Sequence, residues 1–447
     1  MNYREAMDYI EEIGQYGSVL GLESIRELCA RVGNPQDQLK FVHIAGTNGK
    51  GSVLAYISTV LTTAGYKVGR YISPTITDYR ERFQINGKFI TQSGFCKYLE
   101  QVKAAAEEMT QAGLPHPTPF EVETAVAFLY FLDKQCDIVV LETGLGGALD
   151  ATNIVKTTVA AVFASISRDH MGILGDTLEK IATVKAGIMK DGCYVIVGKQ
   201  QPEVMKILKQ AALLRKCKLY TADPARAKNL YYGMTKQRFS YGRYKNLEIS
   251  MLGQFQIENA VIAVETIEVL AKVGFPVKEE ELRRGLLETC WPGRFSVIGK
   301  KPVFIADGAH NEDASVRLAE SLRFYFSDKK LIYILGMLKD KEYEKVIHNT
   351  CGMAEHIITV TPPIAERAMP AYELAQAVRE CNENVTAADS VQDAVEMAYL
   401  LAAREKDAVI VAFGSLSYLG ELLYVVEHRD VIKRDDHGRL PEGTNEI

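Results

Sequence analysis

A short apolar run that breaks into a glycine-rich turn and restarts as a helix constrains this chain more than any other feature. Phe41 to Ala45 is the apolar run, and Gly46-Thr47-Asn48-Gly49-Lys50-Gly51-Ser52 follows it. Val53, Ile57, Val60, Leu61 and Ala64 then recur at helical spacing, which predicts a helix over 52–64. A strand that feeds a helix through a tight turn is the building unit of an α/β fold. The N–H groups at the start of such a helix form an anion site. Glycines let the main chain close around phosphates, Lys50 adds a positive charge, and Ser52 offers a hydroxyl to Mg²⁺ or a phosphate oxygen. Thr47, Asn48, Gly49, Lys50, Gly51 and Ser52 are therefore candidate nucleotide-binding residues. The spacing is not the standard one: two residues separate Gly46 from Gly49, and Gly51 stands between Lys50 and Ser52. The bland alternative is a strand-to-helix turn that binds nothing.

The same alternation continues along the chain. Strands are predicted over 68–72, 137–141, 159–166 and 194–197, the last three as apolar runs buried on both faces of a parallel sheet. Residues 83–90 contain Asn86-Gly87 and read as a hairpin. An apolar helix fits 122–132. The stretches 237–241 and 247–251 look β-rich. A second alternation begins near residue 300, with strands at 302–306, 331–335, 356–360 and 408–413 and helices at 312–325, 371–380, 391–403 and 416–427. Pro292-Gly293-Arg294 is a turn signal, and the domain boundary is placed there. Two doubly wound α/β domains are the expected architecture.

Composition narrows the function classes. The net charge of -5 argues against a general binder of nucleic acid or membrane surface. The eight cysteines are scattered and form no C-x-x-C pair, which suggests neither a zinc site nor a disulfide framework. Reduced thiols in a cytoplasmic protein are expected. Residues 1–14 lack the pattern of a signal peptide, and no apolar run approaches the roughly 20 residues of a membrane span.

A triphosphate loop needs a metal, and Mg²⁺ favours carboxylate and water oxygens beside substrate phosphates. Ligands in a parallel α/β sheet gather at the carboxyl ends of the strands. Glu142 ends the run 137–141 beside Gly144-Leu145-Gly146-Gly147, Asp169-His170 follows the run 159–166, and Ser73-Pro74 follows the run 68–72. Taken singly, each has an ordinary reading: a solvated loop acid, a satisfied histidine, turn chemistry. Lys185 alone would be a helix-surface lysine. Their joint placement at strand ends is what points to a site.

With these stretches assembled, the chain resembles the folylpolyglutamate synthase/dihydrofolate synthase branch of the Mur ligase superfamily. The resemblance rests on residues 45–52, Ser73-Pro74 with Glu81-Arg82, Phe120-Glu121, Glu142 to Gly147 running on to Leu149-Asp150-Ala151-Thr152-Asn153, and Asp169-His170. It continues through Leu174-Gly175-Asp176-Thr177, Lys185-Ala186-Gly187-Ile188, Glu258-Asn259-Ala260, Trp291-Pro292-Gly293-Arg294, Asp307-Gly308-Ala309-His310-Asn311 and Gly414-Ser415-Leu416, in family order. It implies an ATP- and folate-binding, P-loop-type, doubly wound ATPase domain over 1–295. A smaller Rossmann-like glutamate-ligase domain spans 296–430, and a polar tail over 431–447 is expected to be disordered. It further implies Ser73, Glu142 and His170 as Mg²⁺ ligands with the ATP phosphates, and Lys185 as a CO₂-derived carbamate that helps to hold a second metal. Asn259, Arg294 and Asp307 are implied to contact ATP, and His310 and Ser415 to lie near the incoming glutamate. Arg82, Phe120 and Glu121 are implied to flank the pterin-bearing substrate. Ala148, Phe255, Ser296 and Thr75 depart from the usual family residues.

The implied activity is an ATP-dependent amide ligase. It would add L-glutamate to folates, and to dihydropteroate, through an acyl phosphate. Lys50, Glu142, His170, Lys185 and His310 are the expected catalytic group, with His310 a donor to the tetrahedral intermediate. The partners expected are small molecules (a folate or dihydropteroate, L-glutamate and ATP), and a monomer is expected. The alternatives are a ligase of the same superfamily that acts on a cell-wall precursor, and a nucleotide-binding protein without ligase chemistry.

Overall fold

The structure is a computed structural model that describes residues 1–17, 19–364 and 366–432. The polar tail expected over 431–447 lies outside these residues from 433 onward. Its first two positions belong to the helix Leu419–Ile432.

The first unit is built on eight strands. These are β1 (Phe41–Ala45), β2 (Val68–Tyr71), β3 (Phe83–Ile85), β4 (Lys88–Phe89), β5 (Ile138–Glu142), β6 (Thr158–Phe163), β7 (Tyr194–Val197) and β8 (Lys218–Thr221). They are ordered β4-β3-β2-β5-β1-β6-β7-β8, with β2 to β8 parallel across the centre and the β3–β4 hairpin antiparallel at one edge. Alternation explains the unbroken apolar runs. Val42, Ile44, Ile138 and Val140 face one layer, with Val53, Ile57 and Val60 of the helix Lys50–Thr63 and Val261 of the helix Phe255–Leu270. Phe41, Val139 and Leu141 face the other, against Leu99 and Val102 of Gln92–Gln111 and Phe128 and Phe131 of Pro119–Asp133. Polar His43 is tolerated inside β1 because its Nε2 meets Thr152 Oγ1 at 2.9 Å. Burial, and then Lys190, brings its pKa down to about 3, so it stays neutral.

A three-stranded antiparallel sheet follows: β9 (Lys228–Tyr232), β10 (Gln237–Tyr241) and β11 (Tyr244–Ile249). The second unit holds β12 (Ser296–Lys300), β13 (Val303–Ala306), β14 (Lys330–Leu335), β15 (Ala354–Thr359), β16 (Val385–Ala387) and β17 (Ala408–Phe413). Their order is β12-β13-β17-β14-β15-β16, parallel except for the edge strand β12. No helix among the described residues is long and apolar enough to cross a membrane.

Candidate active site

The carboxyl ends of β1, β5, β6 and β2 carry residues 46–52, Glu142, the segment 164–170 and Ser73. Those of β13, β17 and β14 carry Asp307–His310, Gly414-Ser415 and Lys341. Both edges open onto one cavity of about 590 Å³. Of the residues expected at the site, it brings together Thr47 to Ser52, Ser73, Glu142, His170, Lys185, Asn259, Arg294, Asp307, His310 and Ser415. Arg82, Phe120 and Glu121 are not among the residues that line it.

The phosphate loop is held by its neighbours. Thr47 N–H donates to Ser165 O at 2.6 Å, and Thr47 Oγ1 both donates to Ser167 O at 2.9 Å and accepts from Ser167 N–H at 3.0 Å. Gly49 caps the helix at φ +86°, a left-handed conformation, so the helix starts at Lys50 rather than at the expected Ser52. A Cβ on Gly49 would lie 2.7 Å from Asn259 Oδ1, and one on Gly51 would lie 2.8 Å from Trp291 Nε1. Those glycines let the helix Phe255–Leu270 and the turn at 291–294 press onto the loop. Gln256 Nε2 donates to Ser52 Oγ at 3.2 Å, while its Oε1 accepts from Asn259 Nδ2 at 3.0 Å, which fixes both side chains.

Charge is arranged around this loop. Lys50 Nζ lies 3.9 Å from Glu142 Oε1 and donates to Thr47 O at 3.3 Å. Burial raises the Glu142 pKa, opposed by Lys50, by Arg294 and by the Ser73 backbone. Lys185 is buried with Nζ 2.8 Å from Gly46 O. Burial, and then the charge of Lys50, brings its pKa from 10.5 down to about 7. The Gly144–Gly147 turn packs against the helix Leu178–Ala186, which carries Lys185: a Cβ on Gly147 would lie 2.8 Å from Val184 O.

Across the cavity, Asp307 uses both carboxylate oxygens on backbone N–H groups, of Phe295 at 2.7 Å and Ala309 at 2.8 Å. Its carboxylate thereby pins the turn that carries Arg294 to the turn that carries His310. His310 Nδ1 meets Gly308 O at 2.8 Å, so Nδ1 carries the proton. Burial, and then Lys341, lowers the His310 pKa to about 4, and the neutral ring leaves Nε2 as an acceptor. This corrects the expected donor role, because the ring's one proton is already committed to a carbonyl.

The three residues outside the cavity have structural partners. Glu121 completes a capping box with Thr118, accepting from its N–H at 2.8 Å and its hydroxyl at 2.9 Å, and also accepts from Ser24 Oγ at 3.1 Å. Arg82 pairs with buried Glu123 at 3.4 Å. Phe120 packs beside Tyr71 and under Gly144, where a Cβ would lie 2.5 Å from its ring. Lys341 and Arg367 also line the cavity, and the sequence reading did not single them out. The available signal for Lys341 was its place just past the predicted strand 331–335.

Among the described residues, no group of three His, Cys, Asp or Glu side chains could by itself hold a metal. Mg²⁺ in a phosphate site takes one or two carboxylates together with water and substrate oxygens. Glu142, Ser73 and His170 line the cavity beside the loop 46–52, and burial lowers the His170 pKa.

Comparison with known proteins agrees with this geometry. Residues 44–267 match the Mur ligase middle domain and residues 293–416 the Mur ligase glutamate ligase domain. The dihydrofolate synthase/folylpolyglutamate synthase of Bacillus subtilis is 32% identical over 433 residues, covering 94% of this chain and 98% of its own. The folylpolyglutamate synthase of Lacticaseibacillus casei is 34% identical, covering 83% and 88%. The Mycobacterium tuberculosis folylpolyglutamate synthase, solved with ADP and AMPPCP, superposes with a TM-score of 0.87 at 26% identity, covering 95% of this chain and 99% of its own. With two parallel sheets facing each other across a phosphate loop and both family domains in order, the chain belongs to the Mur ligase family, in its dihydrofolate synthase/folylpolyglutamate synthase branch.

Proposed function

We propose that this ligase joins L-glutamate to folates, with tetrahydrofolate polyglutamylation as one activity and the conversion of dihydropteroate to dihydrofolate as the other. The observation that carries the reading is the single cavity in which the phosphate loop of one sheet meets His310 and Ser415 of the other. A carboxylate does not acylate an amine in water, because its leaving group is poor. Transfer of the γ-phosphoryl of ATP to the substrate carboxylate makes an acyl phosphate, which the amine of glutamate attacks with release of phosphate. Gly46 to Ser52 bind the triphosphate, Lys50 neutralises charge on its oxygens, and Asn259 and Arg294 contact the nucleotide. Asp307 acts by holding Arg294 and His310 in place. Glutamate attacks as its neutral amine, and neutral His310 presents Nε2 as a hydrogen-bond acceptor that orients the amine N–H. Ser415 lies beside the incoming glutamate, and Phe120 with Arg82 borders the pterin end.

Ser73, Glu142 and His170 would hold Mg²⁺, which supplies charge neutralisation at the phosphates. Lys185 is the proposed carbamylation site. An amine that sheds its proton near pH 7 offers CO₂ a lone pair that an ordinary lysine withholds, and the carbamate would replace a cation by an anion. Relatives named for folate substrates support the reading, as does an Escherichia coli relative solved with DHPP and ADP at a TM-score of 0.82. The test is ADP release with glutamate and either dihydropteroate or tetrahydrofolate, with the product identified by mass. Turnover with neither acceptor would refute the substrate assignment.

A further inference from the structure

Asp169 has no role in the mechanism above, yet it sits where the two units meet. Its Oδ1 accepts from Lys341 Nζ at 3.0 Å and from the His170 N–H at 2.9 Å. Its Oδ2 accepts from Asn311 Nδ2 at 3.2 Å. Asn311 also exchanges side-chain hydrogen bonds with Asn48 of the phosphate loop, each at 3.2 Å, while its Oδ1 caps the helix Glu312–Phe326 at the Ala314 N–H. Asn48 Nδ2 donates in addition to Asp313 Oδ2 at 2.8 Å. Asn48 and Asp169 stand on the edge of the first sheet, whereas Asn311, Asp313 and Lys341 stand on the edge of the second.

One carboxylate therefore ties the second unit at two separate places. Lys341 brings in the loop after β14, and Asn311 brings in the helix after β13. The Asn311 tie is shared with the phosphate loop, because the same amide group meets both Asn48 and Asp169. Asn311 can satisfy both only while residue 48 and residue 169 keep their spacing, which the Thr47–Ser167 hydrogen bonds set in this arrangement. A ligand that reshapes the turn at 46–52 moves Asn48, and so changes how well Asn311 can also bind Asp169. Lys341 depends on Asp169 in a simpler way: it is the partner that neutralises the ammonium at the cavity wall.

We propose that Asp169 is a positioning residue that couples occupancy of the phosphate loop to docking of the second unit, through Asn311 on one side and Lys341 on the other. The proposal rests on the reading of residues 46–52 as the nucleotide loop. It predicts that nucleotide binding is felt at the start of the helix after β13 and in the loop after β14, and that without the carboxylate the message fails at the loop and weakens at the helix, where Asn48 still reaches Asn311 and Asp313.

Hydrogen–deuterium exchange on the full chain, with and without magnesium ADP, tests this. Calorimetry on the same samples reports whether ADP is bound. In the wild type, ADP should slow exchange several-fold in peptides that cover 311–320 and 336–343. Asp169→Asn should still bind ADP, lose the slowing in 336–343 and show it reduced in 311–320, with its exchange elsewhere unchanged. Lys341→Gln should lose it in 336–343 and keep it in 311–320, since Asn311 and Asp169 remain. That split is one a merely structural weakening would not produce. Wild-type protein that binds ADP without slowing in either segment would overturn the proposal. So would slowing retained at 336–343, or undiminished at 311–320, in Asp169→Asn. If Asp169→Asn fails to fold, slowing retained at 336–343 in Lys341→Gln overturns it alone. Wild-type protein that binds no ADP would overturn the reading of the loop itself, and the coupling with it.

Discussion

Replacing Lys185 by Met should make the protein lose a pH dependence of stability that the wild type carries. The Lys185 amine is buried under the phosphate loop, and burial, then Lys50, takes its pKa from 10.5 to about 7. In the unfolded chain the amine holds its proton up to its ordinary value. In the folded chain it sheds it much earlier. Between the two values the unfolded state binds the extra proton, so this site's contribution to stability grows as pH rises and is lost as pH falls towards about 7. From about pH 7 to about pH 9 the difference is about 2 kcal/mol, since one pH decade corresponds to about 1.4 kcal/mol and the folded amine is only half deprotonated at the lower end. Met keeps the length and apolar contacts of the side chain but has no proton to lose. It also gives up the hydrogen bond to Gly46 O, which offsets roughly 1 kcal/mol of any gain. The assay is urea unfolding of both proteins across this window in CO₂-free buffer, with one unfolding free energy subtracted from the other at each pH. Other titrating groups cancel in the subtraction. A difference that stays flat across the window would refute the depressed amine. Adding bicarbonate should then give the wild type, and not Lys185→Met, the added mass of one CO₂.

Four further outcomes follow from the same geometry. Lys50→Ala should abolish ADP release while the circular dichroism spectrum and melting temperature stay near wild type; retained folate- and glutamate-dependent ADP release would remove Lys50 from the mechanism. Gly49→Ala should weaken nucleotide binding at least tenfold and destabilise by about 1–2 kcal/mol, because the cap has φ +86° and a Cβ there meets Asn259 at 2.7 Å; calorimetry and urea unfolding read both. Glu121→Ala should lower stability by about 1–2 kcal/mol through the lost capping box, measured by urea unfolding; an unchanged midpoint would contradict the role given to its hydrogen bonds. Arg294→Met removes a charge that holds the Glu142 pKa down against burial, so the acid limb of the pH–rate profile should move to higher pH; no movement would show that Glu142 does not control that limb.

The helix Gln92–Gln111 was not read from the sequence, and neither was Phe255–Leu270. The second is buried almost all round, and a helix without a polar face shows no 3.6-residue contrast to detect. The short strand Val385–Ala387 escaped because three residues carry too little pattern. By contrast, the strands at 41–45, 194–197 and 408–413 were legible, since central parallel strands are apolar on both faces. The glycine-rich turn at 46–52 was legible as a strand-to-helix connection for a related reason: its signal is local, packed into seven consecutive residues after a strand.

What the sequence determined by itself is thus the set of strand ends and the chemical groups placed at them. What only the tertiary structure decided is how those groups are spent. Glu121 caps a helix, Asp307 gives both oxygens to backbone amides, and His310 commits its proton to Gly308 O. Lys341 reaches Asp169 across 172 positions of chain. Protonation and hydrogen-bond allegiance depend on burial and on partners distant in sequence, and neither is encoded in the residues on either side.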